Sequence, residues 1–597
     1  MKQAKEDLRI EGGITRGPKI EIIVNGQPLR AFDGETIGAA LAAAGIRELR
    51  RTEQLQDPRG LYCCMGTCHG CLVTVNGQPN VRACITPVQA GQQIELQEGY
   101  GKIDPAAPEP PPGRLVLMQV PLVIVGSGPA GLSAAIAAAR VGTKVLVIDE
   151  NRQAGGQIYR QLPRDFKVSD AARLGADYAD GQSLLGQVRE LGEAVEIWHE
   201  ALVWSVFESN QLAVAHDNAL VLLDAKAIIV ATGAYERPVP VPGWTLPGAM
   251  TAGGAQVLLK SQRVRPGRRA LLAGTGPLQL VVANQMLDAG MKVVAMAEST
   301  SMLGAWRYLP GLLHQPGLIK QGLAYIYRLK RAGVQMLRSH ALRSIQGQGQ
   351  VNSAVVGRVD MHGYPVAGSE KTFEVDTVCM GYGLIPSVWL TSLLGCRHDY
   401  HPLVGGWVPF FDANMQTDQA GVFVAGDGAG IAGVLVAKMQ GTIAGLHATA
   451  HAGDITVDQA IQASLPQLRQ LDSMGQFRRA MDRIYRIQPD LYANVTDETI
   501  VCRCESITAG EIRQAIRQGT ANLNDIKKRT RCGMGYCQGT NCQPSIAAIL
   551  AREFDADPAG IEMQTTRPPA RPIPLNLLMG DLELGSRNAE VGKGQSA

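Results

Sequence analysis

A glycine-rich loop after an apolar run is the feature that most limits how this 597-residue chain can fold. The loop, residues 126–131 (GSGPAG), follows the apolar run 122–125 and opens an alanine-rich segment. Asp149 ends the next apolar run, eighteen residues after Gly131. This is the spacing of a dinucleotide fingerprint in its strand–turn–helix context.

Each position of the loop has a physical role in that interpretation. Gly126 permits the turn, Gly128 lets the backbone approach a pyrophosphate, and Gly131 lets the helix pack closely on the strand. The helix N-terminus faces the phosphates, and Asp149 accepts hydrogen bonds from ribose hydroxyls. The predicted nucleotide-binding residues here are Gly126, Gly128, Pro129, Ala130, Gly131 and Asp149.

Short apolar runs alternate with helical segments across the middle of the chain, as buried parallel strands require. The runs are residues 122–125, 145–148, 227–230, 270–273, 293–296 and 421–425. A composition of 68 glycines and only 5% aromatic residues also suits nucleotide-binding sheets. A second glycine loop near Gly274 predicts a second doubly wound domain inserted into the first.

The second loop departs from the fingerprint. It reads Gly274-Thr275-Gly276-Pro277-Leu278-Gln279, with Gln279 in place of the third glycine, so close helix packing is expected to be compromised. Glu298 still ends the following apolar run. A vestigial or non-nicotinamide nucleotide site is therefore favoured, and NAD(P)H binding stays an alternative.

Further segments complete the set: Thr232-Gly233 and Gly426-Asp427 each end a predicted strand, and Gly156-Gln157 follows Gly155. Over residues 118–450 the set resembles the glutathione-reductase-like flavoprotein family. The resemblance implies bound FAD, with Gly426-Asp427 at the ribityl and pyrophosphate and Gly156-Gln157 on the isoalloxazine side. The redox cysteine pair of disulfide reductases is missing, since Cys379 and Cys396 lie far apart in sequence.

The twelve cysteines fall mainly into two tight groups, which in a large chain favours metal sites over a disulfide framework. In the first group, Cys63, Cys68, Cys71 and Cys84 have the spacing C-x4-C-x2-C-x12-C, whose first three members match plant-type ferredoxins. Residues 19–97 are β-rich, with predicted hairpin turns at Asn25-Gly26 and Asn76-Gly77. We predict a [2Fe–2S] cluster on a β-grasp unit; zinc is the alternative, and Cys64 is expected to pack as a buried apolar residue.

In the second group, Cys502, Cys504, Cys537 and Cys542 have the spacing C-x-C-x32-C-x4-C. This resembles the bacterioferritin-associated-ferredoxin-like domain, a small helical [2Fe–2S] module. We expect Cys502 and Cys504 on one iron and Cys537 and Cys542 on the other. Cys532 is an alternative ligand, and zinc an alternative metal.

The predicted fold class is α/β, with two nested Rossmann-like domains between the two iron–sulfur domains. The predicted segments are 18–102 (β-grasp), 103–117 (Pro-rich linker), 118–240 and 372–452 (FAD-binding), 241–371 (inserted domain), 453–497 (helical connector), 498–554 (C-terminal cluster domain) and 555–597 (tail, extended over the surface or partly disordered).

This order resembles the large subunit of hydrogen cyanide synthase, opine oxidase and hydroxyproline dehydrogenase complexes, with their ferredoxin-like small subunit fused at the N-terminus. The α subunit of heterotetrameric sarcosine oxidase is related. The segments 64–84 and 530–542 carry the resemblance. It implies an oxidoreductase subunit that receives electrons from a D-amino-acid-oxidase-like FAD subunit, which oxidises an amino acid, secondary amine or opine. It further implies a quinone, cytochrome or dye acceptor, and leaves room for a second nucleotide or FMN at a subunit interface.

No acid–base group stands out in the sequence, which agrees with amine oxidation elsewhere. Two alternatives stay open: a stand-alone NAD(P)H-dependent reductase and a non-catalytic scaffold subunit. The net charge of +3 does not indicate nucleic acid. The charged first residues and the glycine-broken apolar stretch near residue 126 indicate no secretory signal and no membrane span. We expect a cytoplasmic protein, with peripheral attachment to the inner membrane through its complex as an alternative.

Overall fold

The Gly126 loop lies at the end of the central strand of a seven-stranded sheet in the computed structural model, which describes residues 7–102, 110–207, 210–301 and 305–579. The central strands pair in parallel because both of their faces are covered by helices and apolar core. In spatial order the strands are Val195–Trp198, Val145–Ile148, Arg114–Val125, Ala219–Val230, Gln211–His216 and Leu202–Phe207, with Val422–Val424 beside Ala219–Val230.

A second, five-stranded sheet is parallel throughout and carries the Gly274 loop. Its strands run in the order Ala249–Thr251, Thr377–Tyr382, Arg269–Thr275, Lys292–Glu298 and Gln335–Arg338. A three-stranded antiparallel sheet follows it, formed by His340–Gln346, Ser353–Arg358 and Lys371–Glu374. The chain therefore returns to the first domain only after Tyr382, which corrects the boundary predicted at residue 371.

The N-terminal unit is a β-rich sheet around the helix Ile37–Ala43, whose N-cap Thr36 accepts a hydrogen bond from Ala39 N. Asn25 and Asn76 have φ of 47° and 48° and precede glycines that also have positive φ, as the predicted hairpin turns need. The strands are Lys19–Val24, Gln27–Phe32, Arg50–Arg51, Pro58–Arg59, Leu72–Val75, Gln78–Arg82 and Gln93–Glu98.

Helices cover the sheets and form the C-terminal part. They are Pro129–Arg140, Ala176–Glu190, Ala252–Val257, Pro277–Asp288, Leu309–Leu312, Pro316–Arg331, Trp389–Leu393, Val434–Ala452, Val457–Ile484, Ala509–Arg517, Leu523–Thr530 and Gln543–Glu553. The connector helix Val457–Ile484 begins with a capping box between Thr456 and Gln459. Across the described parts of the chain, no helix combines the length and apolar character that crossing a membrane requires.

The two Pro-rich segments differ from their predictions. Residues 103–109 of the predicted linker lie outside the described residues, and the strand Arg114–Val125 already begins inside the linker's predicted bounds. Residues 580–597 of the tail also lie outside the described residues. Earlier in the tail, Ala570 N donates to Trp204 O at 2.9 Å and Leu577 packs against Trp204, because the first sheet leaves an apolar face there.

Candidate functional site

The Gly126 loop forms a close-packed cradle at the start of the helix Pro129–Arg140. Gly126 N donates to Ile148 O at 2.8 Å, which ties the loop to the neighbouring strand. A Cβ at Gly131 would lie 1.8 Å from Gly126 O, so only glycine allows this approach. The free N–H groups of the helix therefore face outward to an anionic ligand.

A cavity of about 340 Å³ opens in front of this cradle. Its lining includes eleven of the twelve residues predicted to bind FAD: Gly126, Gly128, Pro129, Ala130, Asp149, Gly156, Gln157, Thr232, Gly233, Gly426 and Asp427. Gly131 lies behind them, in the helix–strand contact. A larger adjoining cavity of about 700 Å³ shares Glu150, Asn151 and Arg160 with it, so the two together have room for an extended dinucleotide.

The polar groups of the cavity are held by the surrounding loops. Asp149 accepts hydrogen bonds from Ser127 N at 2.7 Å and Asn151 N at 2.8 Å, and Asp427 accepts from Ala432 N at 3.1 Å. Arg160 lines both cavities, and its Nε has no partner among the described residues. An unpaired guanidinium edge beside a helix N-terminus fits the pyrophosphate of a dinucleotide.

Sequence reasoning missed many further lining residues, and four of them come from segments far from the fingerprint loop. Met65 and Thr67 come from the first cysteine loop, Glu236 from the strand Ala234–Glu236, and Arg571 from the tail. Burial raises the pKa of Glu236 to about 7, while Gly253 N donates to its Oε2 at 2.8 Å. These segments are remote from one another in sequence, and no local motif marks them.

The four cysteines of the first group lie close together, as their spacing in the sequence predicted. The side chains of Cys63 and Cys68 hydrogen-bond to each other, and so do those of Cys71 and Cys84. All four are buried, and Thr67 Oγ1 donates to Cys63 Sγ at 3.6 Å. A buried set of four sulfur donors suits an iron–sulfur cluster.

The spare cysteine of this segment lies elsewhere. Cys64 packs in an apolar core that also contains Cys379, and burial raises the pKa of both thiols, so neither is a ready nucleophile. Cys396 lies in a different apolar core, and its Sγ is 3.6 Å from Thr417 Oγ1. Cys379 and Cys396 therefore do not form a redox pair beside the flavin cavity.

The second group contains five thiols. Cys504 hydrogen-bonds to Cys537, whereas the sulfur atoms of Cys502, Cys532 and Cys542 all lie within 4.8 Å of one another. The thiol contacts thus run between the two segments, although pairing within each segment was predicted. Cys532 is fully part of the group, so its role as an alternative ligand, with Cys537 preferred as the third ligand, stays a prediction.

The two cysteine groups touch. The Cys504 thiol donates to the Cys68 carbonyl oxygen at 4.0 Å, and His69 stacks on Tyr536 with ring centroids 5.6 Å apart. One apolar core contains cysteines of both groups together with Trp244. The loop of the first group also lines the flavin cavity through Met65 and Thr67. The flavin cavity, the first cysteine group and the second cysteine group are therefore neighbours in this spatial order in the interior.

The second glycine loop places Gln279 beside a glycine of the neighbouring strand. Gln279 is 1% exposed, and a Cβ at Gly381 would lie 3.3 Å from Gln279 Cγ. Gly381 on the neighbouring strand thus leaves room for the larger side chain, but the amide nitrogen and oxygen of Gln279 are buried without hydrogen-bond partners among the described residues. The expectation of compromised helix packing stays a prediction. Glu298 accepts hydrogen bonds from Gly276 N at 3.2 Å and Thr300 N at 3.0 Å.

Comparison with known families divides the chain in the same order. Residues 17–99 match the 2Fe-2S iron-sulfur cluster binding domain, residues 120–441 the pyridine nucleotide-disulphide oxidoreductase family, and residues 500–552 the BFD-like [2Fe-2S] binding domain. Together with the buried thiols and the dinucleotide cradle, these matches show that the protein is an oxidoreductase with FAD and two [2Fe–2S] clusters.

Individual relatives agree with this division. An opine oxidase subunit of Rhizobium meliloti is 35% identical over 76% of this chain and 86% of its own length. The hydrogen cyanide synthase subunit HcnB of Pseudomonas aeruginosa is 32% identical over 70% of this chain and 90% of its own length. The alpha subunit of sarcosine oxidase from Corynebacterium sp. (strain P-1) is 25% identical over 95% of this chain but 57% of its own length.

The fold has a solved counterpart. L-proline dehydrogenase from P. horikoshii superimposes with a TM-score of 0.69 at 20% identity, covering 96% of this chain and all of that one. By its family matches and its relatives, the chain belongs to the pyridine nucleotide-disulphide oxidoreductase family, in one group with the opine oxidase subunit and HcnB.

Proposed function

We propose that this chain is the electron-transferring subunit of a complex that oxidises an amino acid, a secondary amine or an opine. The observation that carries the proposal is the continuous arrangement of the three cofactor sites. Met65 and Thr67 line the flavin cavity, their loop holds Cys68, and the Cys68 carbonyl contacts Cys504. Such an arrangement serves transfer through the protein better than chemistry at one isolated site.

The proposal keeps the ligand sets predicted from the cysteine spacing. Cys63, Cys68, Cys71 and Cys84 would hold the first cluster, and Cys502, Cys504, Cys537 and Cys542 the second, with Cys532 as the alternative ligand. When bound, FAD exchanges two electrons with a donor and single electrons with iron–sulfur clusters. The chain's own residues hold the dinucleotide on the Gly126 cradle, and the buried Trp244 core excludes water from the thiols.

Glu236 is one of four carboxyl groups on the described cavity wall, with Asp149, Glu150 and Asp427, and burial raises its pKa. Because burial raises its pKa to about 7, it exchanges a proton at physiological pH. A carboxyl group with this pKa on the cavity wall suits proton balance during electron transfer.

The relatives support a partner. The opine oxidase chain and HcnB are named as subunits of an oxidase and a synthase, so other chains complete those enzymes. We propose that the electron donor to this chain is a D-amino-acid-oxidase-like FAD subunit, with a quinone or cytochrome as the acceptor. The same proposal includes a second nucleotide or FMN at the interface with that donor, a cytoplasmic location and peripheral attachment to the inner membrane.

An anaerobic titration with NADH separates the proposal from its alternatives. We expect the flavin and iron–sulfur absorption bands of the isolated holoprotein to stay oxidised with NADH and to bleach with dithionite. Prompt bleaching by NADH would favour a stand-alone reductase that uses the Gly274 loop. A protein purified under native conditions without flavin would favour a scaffold. Good turnover of an amino acid by the isolated chain would overturn the assignment of amine oxidation to a partner.

A further inference from the structure

Three arginine side chains are buried between the two cysteine groups. Arg50, Arg59 and Arg503 are 4%, 0% and 3% exposed. Buried arginines are rare in folded proteins unless anions pair with them. Their placement therefore needs a source of negative charge.

The backbone brings two of these cations together. Arg50 and Arg59 are directly opposite each other in the short antiparallel ladder between Arg50–Arg51 and Pro58–Arg59. Like charges directly across a ladder are destabilising unless a third group compensates them. Arg503 interacts electrostatically with both, so three positive charges share this part of the interior.

The protein offers these arginines little compensation. Asp57 is 3.7 Å from Arg59 Nη1 and is itself partly exposed. Arg59 also donates to Pro58 O, and Arg503 Nη1 donates to Trp244 O at 2.9 Å. The Nε atoms of Arg50, Arg59 and Arg503, and Nη2 of Arg59, have no hydrogen-bond partner within the described parts of the chain.

The cysteine sulfur atoms supply negative charge near these arginines. Arg50 and Arg59 both interact electrostatically with Cys504, and Arg50 also with Cys68. Arg503 stands between Cys502 and Cys504 in the sequence and lies over the Tyr62 ring at 4.1 Å. A [2Fe–2S] cluster on four thiolates is a dianion when oxidised and gains another negative charge on reduction, and net charge near a cluster sets its potential.

We propose that Arg50, Arg59 and Arg503 form a shared counter-charge core for the two [2Fe–2S] clusters, which raises the reduction potential of both and weakens the repulsion between them. The guanidinium group suits this role because it stays charged when buried and presents several donors in a fixed plane. Since Cys504 is the common neighbour of Arg50 and Arg59, the second cluster depends most on the core. The inference rests on the two clusters and on the ligand sets in the proposed function, but not on the identity of the electron donor.

Redox titration of the full-length holoprotein, followed by the EPR signal of each reduced cluster, tests this core. We expect Arg59→Gln to lower the potential of the second cluster by at least a tenfold change in the reduction equilibrium, about 59 mV for a one-electron couple. The first cluster should shift less. Arg51→Gln is the matched control, because Arg51 follows Arg50 on the same strand and its side chain is 43% exposed; it should leave both potentials unchanged.

Arg59→Lys and Arg50→Gln separate charge from structure. Arg59→Lys keeps the positive charge and should recover most of the shift, whereas Arg50→Gln should lower the potential as Arg59→Gln does, even where Arg59→Gln fails to assemble its clusters. Potentials that stay at the wild-type values in folded, fully iron-loaded Arg50→Gln protein would overturn the proposal. Reduction of the wild-type protein by NADH would contradict the proposed electron donor but would not change the conclusion drawn from the cluster potentials of the arginine variants.

Discussion

At both glycine loops, one glycine without a Cβ atom allows the helix to approach its strand closely. At Gly131 the helix approaches the backbone of its own loop so closely that any side chain would collide with the Gly126 carbonyl. At Gly381 the absent side chain is on the neighbouring strand and admits Gln279. In the first domain the glycine at the helix–strand contact is in the loop, and in the second it is on the neighbouring strand. A sequence motif that requires a glycine in the loop therefore does not recognise the second arrangement.

Gly131→Ala should therefore disable the FAD site. The added Cβ would lie 1.8 Å from a backbone oxygen, so the helix must shift, at a cost of about 2 kcal/mol or more. We expect a lower melting temperature and loss of the flavin absorption of the purified protein. Gly186→Ala is the control, since Gly186 is also helical but meets no atom within 4 Å, and alanine there should be neutral or slightly stabilising. Equal flavin content in the two variants would contradict this reading of Gly131.

Glu298 should make stability depend on pH. Burial raises its pKa from 4.5 to about 7, so the folded protein binds this proton more tightly than the unfolded chain does. The stabilisation is complete below pH 4.5 and is lost as the pH rises through 7.

Glu298→Gln should remove this dependence. The difference in the free energy of unfolding between pH 5 and pH 8 should become smaller by roughly 2 kcal/mol. Melting temperatures at the two pH values measure the effect. Glu374→Gln, at an exposed position of the neighbouring antiparallel sheet, should keep the wild-type difference. A wild-type pH dependence in Glu298→Gln would assign the effect to another group.

At the scale of elements, the tail does more than cover a surface. Residues 570–577 lie along the first sheet, and Arg571 reaches the flavin cavity, where its guanidinium carbon is 5.3 Å from the Trp389 ring centroid. Arg571 is 8% exposed and its Nε has no partner among the described residues. A buried cation at this wall is placed to interact with an anionic part of the dinucleotide.

Arg571→Ala should weaken FAD binding about tenfold, as expected for the loss of one hydrogen bond to a charged group. Titration of the deflavinated protein with FAD, followed by fluorescence, measures the affinity. Arg567→Ala removes an arginine from the same segment at an exposed position and should bind FAD as the wild type does. If both variants bind equally well, the tail has no role at the flavin.

At the scale of the whole molecule, the spacing of glycines and cysteines predicted the sites, while the contacts between domains had no sequence signal. The fingerprint loop and the first four thiols are local, so short-range geometry determines them. Glu236, Arg571 and the pair Arg50 and Arg59 meet the cofactor sites from distant segments, and nothing in their own neighbourhood marks them. The strand Arg114–Val125 was predicted too short, because its first residues directly follow a proline run that indicated a linker.

The contact between Cys504 and Cys68 joins residues 436 positions apart, and this has a consequence during synthesis. At about 5–20 residues per second, the second cysteine leaves the ribosome roughly 20–90 s after the first. During that interval the nascent chain can fold its first domain and its flavin cradle, but the far side of the Cys68 loop stays open to solvent and oxygen. Arg571 of the flavin cavity follows later still, so the cavity wall and the contact between the two cysteine groups are complete only after the tail has been made.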